Sequence, residues 1–198
     1  MDGNTAVTTI AVDIAAGLGV VCVTAAGNSG NNDWYYIIAP ADADSVISVG
    51  AVSSIGQIVS FSSHGPTADN RIKPEVCARG RQTWCVNPNS TTNYTQLSGT
   101  SLACPLVGGV AALIIQANPD WTAMEIRDAI MMTSSMSDSA NNDYGHGIVN
   151  AAAAMDYNIT SSIDFTAITP VKYSISVSYT HLRAHETSLH LVCRLLLE

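Results

Sequence analysis

The apolar residues of this chain fall into two kinds of pattern. Residues 4–17 carry apolar positions at helical spacing and predict a helix over that range. Val20-Val21-Cys22-Val23-Thr24 is a β-rich run without alternation, which predicts a buried strand over 19–25. A second unmixed run predicts a strand over 46–52, and shorter β-rich stretches predict strands over 58–61 and 82–86, with a hairpin strand at 93–97. The longest apolar stretch starts at Ser101 and is closed by Pro119, predicting a helix over 101–117. Two more helices are predicted over 122–133 and 149–156, the former opened by Thr122 and Glu125 at capping-box spacing. Helices that alternate with unmixed apolar strands imply an α/β fold, a mostly parallel, doubly wound sheet with helices on both faces.

Ligands of such sheets bind beyond the carboxyl ends of the strands, and two segments there carry candidate chemistry. Gly99-Thr100-Ser101-Leu102-Ala103-Cys104-Pro105 places a serine where a glycine-containing turn enters the long apolar helix. Unpaired N–H groups and the helix dipole at that point favour negative charge, as acyl transfer requires when a carbonyl becomes an oxyanion. A plain N-cap serine fits the same local pattern. Ala25-Ala26-Gly27-Asn28-Ser29-Gly30 ends the first strand with small residues and an amide. The small residues allow a second backbone to approach, and Asn28 offers an N–H donor to an oxyanion, although asparagine is also an ordinary turn residue.

Taken together and in order, these segments resemble the subtilisin-like serine proteases, the subtilase family. Ala25-Ala26-Gly27-Asn28 resembles the strand that lines the family's S1 pocket and ends in its oxyanion-hole asparagine. Ala39-Pro40-Ala41 and Ser45 to Val52 are similar to its next loop and strand, and Phe61-Ser62-Ser63-His64-Gly65-Pro66 to its F-S-S-x-G-P loop. Gly99-Thr100-Ser101 with Pro105 resembles the nucleophile segment, and Asn118 to Thr122 and Tyr144 to Ala151 resemble the closing elements. The resemblance implies Ser101 as nucleophile, Asn28 as oxyanion donor, Ala25, Ala26 and Gly27 as substrate wall, and a cis bond before Pro40. It also implies protein or peptide substrates, a monomer when complete, and an extracellular or cell-surface bacterial location. No cofactor is required on this reading. The resemblance leaves room for structural calcium without assigning ligands; Asp42, Asp44 and Asp69 lie in loops and read as solvated acids.

The family's triad follows the chain order Asp, His, Ser. Asp2 and Asp13 are the acids ahead of Ala25, and no histidine precedes His64, which occupies a variable place in its loop. The expectation is therefore a C-terminal half of a catalytic domain, residues 1–156, inactive by itself. Two other readings stand beside it. Gly99 to Ala103 approaches the nucleophile elbow of an α/β-hydrolase-type esterase, with Asp138 and His146 following in order. A non-catalytic subtilase-like scaffold is the other.

Composition trims the alternatives. The 198 residues are 47% hydrophobic and 12% charged, with eight Lys and Arg against sixteen Asp and Glu and a net charge of −8. Nucleic acid is a poor partner for that balance. Arg71, Lys73, Arg79 and Arg81 read as a solvated loop face, and no apolar run is read as a membrane span. Cys22 and Cys104 read as small core hydrophobes, while Cys77 and Cys85 flank a short connection and stand as a candidate pair. Residues 157–176 read as a linker or the start of a further module. Residues 177–198 resemble translated sequencing-adapter read-through, so their histidines carry no chemistry.

Overall fold

The computed structural model describes residues 1–159, which fall within one unit, Met1–Thr160; most of the expected linker and all of the adapter-like tail lie outside them. Three strands, β1 (Val23–Ala25), β2 (Ile47–Val52) and β3 (Val76–Arg79), form a parallel sheet in chain order. Val23 pairs with Ile47 and Val49 with Val76, so β1 ends level with Val76 while β2 and β3 run on to Val52 and Arg79; the loops after β1 and β3 hold Asn28 and Gly80. All six residues of β2 are buried, which explains its unmixed sequence. Beyond β3, β4 (Thr83–Val86) and β5 (Tyr94–Leu97) form an antiparallel hairpin with Trp84 opposite Gln96 and Val86 opposite Tyr94.

Four helices complete the described fold: α1 (Val7–Gly17), α2 (Thr100–Ala117), α3 (Ala123–Met132) and α4 (Ala151–Met155). The helix α2 crosses all three parallel strands. Its Ala103, Val107, Ala111 and Ile114 recur at helical spacing and pack against Ile47, Val49, Val76 and Ala78. Small residues on that stripe let the helix lie close to the sheet, and Ile126 and Ile130 of α3 and Ala154 of α4 close the core. At 18 residues and a mean hydropathy of 1.7, α2 is long and apolar enough to span a membrane, which corrects the reading that no apolar run is. Its placement across the sheet is that of a domain core helix.

Several boundaries differ from the sequence reading for local reasons. Residues 4–6 are not helical because the Asp2 carboxylate takes the N–H groups of Asn4 and Thr5 and the Thr5 hydroxyl, forming a turn first. The strand expected over 58–61 is a single bridge, Val52 to Ile58, after the tight turn Ser53–Gln57. The strand β3 was not anticipated, since its four residues sit among charged neighbours. Those neighbours are the larger correction. Lys73 is 1% exposed and donates to Glu75 Oε1 at 2.6 Å and to the Ala43 carbonyl at 2.7 Å. Arg127 of α3 reaches the same Glu75 oxygen at 3.0 Å, and the Ser48 N–H donates to Oε2 at 2.8 Å. Arg71 pairs with Asp44 and Asp69, and Arg79 bonds the carbonyls of Arg81 and Gln82, so the four cations form no common solvated face.

The capping box is present, with Thr122 and Glu125 each bonding the other's backbone N–H. The Ala39–Pro40 bond is cis, as are Gly65–Pro66 and Lys73–Pro74. Cys77 and Cys85 do not pair: the four described cysteines are free thiols, and burial pushes the Cys77 thiol up to about 12.

Candidate active site

The site is assembled where β1 and β3 end. After Ala25 the chain runs through Ala26 and Gly27 to Asn28, and Ala26 bonds outward on both backbone groups, to Val49 and Ile38. Gly27 adopts a φ of 114°, and a Cβ there would stand 2.8 Å from Ser63 Oγ, so only glycine fits. After β3, Gly80 receives the Gly99 N–H at 2.8 Å; a Cβ on Gly80 would lie 2.8 Å from the Gly99 carbonyl. This contact between two backbones delivers Gly99-Thr100-Ser101 to the end of the sheet.

Thr100 ties the two segments together. Buried at the first position of α2, its N–H donates to Asn28 Oδ1 at 2.9 Å and its hydroxyl donates to the same oxygen at 3.0 Å. That hydroxyl also accepts the Gly27 N–H at 3.3 Å. Because Oδ1 must face the Thr100 N–H, the amide orientation is fixed and Nδ2 faces the opposite way. A point at the Cβ position of Gly99 lies 3.6 Å from Asn28 Nδ2 and 3.8 Å from the Ser101 N. Two N–H donors therefore lie near one point at a helix N-terminus, where partial positive charge accumulates, with Leu102 Cδ2 3.7 Å from the same point. Ser101 itself is exposed, and among the described residues its hydroxyl makes no hydrogen bond. Pro105 brings no N–H to the helix ladder, leaving the Ser101 carbonyl without its usual partner.

Ser101, Asn28 and Ala25–Gly27 thus stand in one place. Two participants escaped sequence reasoning. Thr100 was read only as part of the nucleophile segment, although a hydroxyl beside the candidate serine is the signal that it holds something. Ile38, donating its N–H to Ala26, packs its side chain on Gly27, 3.0 Å from where a Cβ would be. It comes from a separate loop and had no local marker.

Other candidates lie elsewhere. His64 sits with Nδ1 2.9 Å from Asp143 Oδ1 and is stacked on Tyr35 at a ring distance of 4.5 Å. The His146 N–H bonds the Glu75 carbonyl at the start of β3, whereas Ser101 stands beyond Gly80 at its end. Five residue steps, about 16 Å of rise, separate Glu75 from Gly80, so His146 does not serve Ser101 as an esterase triad would. Asp138 lies in the short 3-10 turn Ser137–Ser139, remote in the chain from both site segments. The loop acids are not free for a cation: buried Asp42 accepts from the Gly3 N–H and the Thr9 hydroxyl, and Asp44 and Asp69 hold Arg71. They do not fit a calcium ion, and Asp42 is buried rather than solvated. Among the described residues no cluster of three or more metal-ligating side chains occurs.

A parallel sheet covered by helices, with a serine at a helix N-terminus and two N–H groups nearby, assigns the chain to the α/β class. Comparison with known proteins makes the assignment specific: the chain belongs to the subtilase family, whose model matches residues 2–147. It is 42% identical over 146 residues to subtilisin DY of Bacillus licheniformis, covering 73% of this chain and 50% of that protein. To serine protease AprX of Bacillus subtilis it is 38% identical over 161 residues, covering 71% of this chain and 36% of that one. The self-cleaved protease domain of PatA superposes with a TM-score of 0.62 at 27% identity, over 78% of this chain and 57% of that domain. The PatG macrocyclase, solved in complex with peptide, gives 0.63 at 26% identity, over 74% and 45%. The chain spans about half the length of the curated relatives it matches, or less.

Proposed function

We propose that this chain supplies the nucleophile and the oxyanion-binding elements of a secreted serine endopeptidase. Ser101 Oγ attacks a substrate peptide carbonyl, and its proton passes to a base that then protonates the departing amine. Water hydrolyses the resulting acyl-enzyme by the reverse sequence. The carbonyl oxygen, negative in the tetrahedral intermediate, takes hydrogen bonds from Asn28 Nδ2 and the Ser101 N–H. Ala25, Ala26 and Gly27 form one wall for the side chain preceding the scissile bond, with Ile38 against that wall. Substrates are proteins or peptides, and the location is extracellular or at the cell surface.

The observation that carries this reading is the convergence of the two N–H donors on one space beside an exposed serine. The family resemblance assigns the base to a histidine, paired with an aspartate, in segments that should precede Ala25; this chain has no histidine before His64. We read the 198 residues as lacking that base, so by themselves they are inactive. Asn28→Ala in a complete enzyme carrying this segment is the test. Loss of one such donor costs about 10²–10³ in kcat, a figure measured on a subtilisin, so on a member of this family. KM should move little. Turnover close to the parent's would remove Asn28 from the role.

A further inference from the structure

The β4–β5 hairpin wears its apolar residues on the outside. Side chains alternate along each strand, and the cross-strand register puts Trp84, Val86, Tyr94 and Gln96 on one face. Trp84 is 64% exposed, Val86 70% and Tyr94 71%, whereas Thr83, Cys85 and Thr95, which alternate with them, are half-buried. A surface ribbon ordinarily turns its large apolar side chains inward. Here three of the ribbon's four large apolar side chains, all but Leu97, lie on the exposed face. No Asp, Glu, Lys or Arg occurs from Gln82 through Ser98, so the face is electrically neutral in a chain of net charge −8.

The hairpin is also continuous with the nucleophile turn. β5 ends at Leu97, and Ser98 and Gly99 lead directly to Thr100 and Ser101. Its base is fastened there by the Gln82 N–H to Ser98 Oγ at 3.0 Å and the Gly99 N–H to the Gly80 carbonyl at 2.8 Å. Among the described residues the ribbon has two strands only, so its outer edges carry unpaired backbone groups.

We propose that this face is an exosite for the polypeptide substrate, binding an extended, uncharged, apolar stretch distant from the scissile bond. The inference rests on the protease reading of Ser101. The neutrality of the ribbon disfavours an ionic partner, and its continuity with the nucleophile turn selects the substrate as the chain that must pass nearby. Tyr94 stands three extended residues, about 10 Å, up the ribbon from Leu97, which itself precedes the turn into Ser101, while a tetrapeptide spans about 13 Å in all. On this proposal a long substrate held at Ser101 extends onto the face, and a short one fills little of it.

The test compares two substrates of a complete enzyme carrying this segment, before and after replacing Trp84, Val86 and Tyr94 by Thr, which keeps the strand preference. We expect kcat/KM for reduced, unfolded casein to fall about tenfold through KM, and that for a tetrapeptide anilide to change less than twofold. Trp84→Thr alone, expected to show a smaller loss on casein only, serves if the triple variant misfolds. Equal loss on both substrates, or no loss on either, overturns the exosite. So does a parent enzyme that sediments as a dimer while the variant is monomeric, because a second copy then covers the face. A parent that cleaves neither substrate would instead mean that the protease reading itself fails.

Discussion

Thr100 shows how much one hydroxyl can organise. It accepts from Gly27, donates to Asn28 and sits one residue before Ser101, so it ties the Asn28 amide to the start of α2. Thr100→Val keeps the shape and removes the hydroxyl, leaving the Gly27 N–H buried without a partner. Such an orphaned donor costs about 1–3 kcal/mol. The expected outcome is a lower unfolding free energy together with a lower kcat, since Asn28 retains only the Thr100 N–H. A variant with parental kcat would show that the backbone N–H alone positions the amide. Cys77 illustrates the opposite case: fully buried with its pKa pushed up to about 12, it should resist thiol reagents until the chain unfolds.

At the scale of elements, the sheet is locked to α3 by charge as well as by packing. Glu75, entering β3, receives Lys73, Arg127 and the Ser48 N–H, with Lys73 almost wholly enclosed. Burial pushes the Lys73 ammonium below its ordinary pKa, and the adjacent carboxylate opposes that shift. Glu75→Leu would strand the lysine charge and is expected to cost about 3–5 kcal/mol in chemical denaturation; less than about 1 would mean that Lys73 finds water or another partner. The same segment bears on acid stability. Burial holds the His146 pKa below its usual value. A depressed folded pKa gives stability that is complete above the unfolded value, about 6.5, and is lost as pH falls below it toward the folded value. His146→Asn should therefore lose less stability between pH 7.5 and 5, as read by urea midpoints, than the parent. Parallel losses in the two proteins would acquit His146.

At the scale of the whole molecule, exposed apolar surface is a main physical feature of the described residues. Val7 and Leu18 of the α1 region are 82% and 72% exposed, and Leu106, Leu113 and Ile115 of α2 are also uncovered among the described residues. The outer edge of β1 has no partner strand among them. Free sheet edges and apolar helix faces promote association. The 198-residue polypeptide alone is expected to sediment as oligomers, to bind a hydrophobic dye strongly, and to leave Ser101 unlabelled by an active-site phosphonate. A dye-silent monomer with stoichiometric labelling would contradict both the association and the inactivity.

Local physics was legible in the residues themselves. The unmixed run of β2, the helical stripe of α2 and the Thr122–Glu125 box each depend on neighbours in the chain, and each stands in the fold. The serine and asparagine segments were visible because tight turns demand small residues at fixed offsets. What escaped depended on distant partners. Lys73 reads as solvated until Glu75, Ala43 and Arg127 close around it, and β3 reads as loop until β2 and Ile148 pair with it. Asp42, read as a solvated acid, is buried by Gly3 and Thr9. The sequence by itself therefore determined most of the elements, the family and the identity of the candidate chemistry, because these are written in composition and spacing. Only the tertiary structure decided which polar groups are buried, which donors converge beside Ser101 and which faces stay open, because burial and convergence depend on residues far apart in the chain.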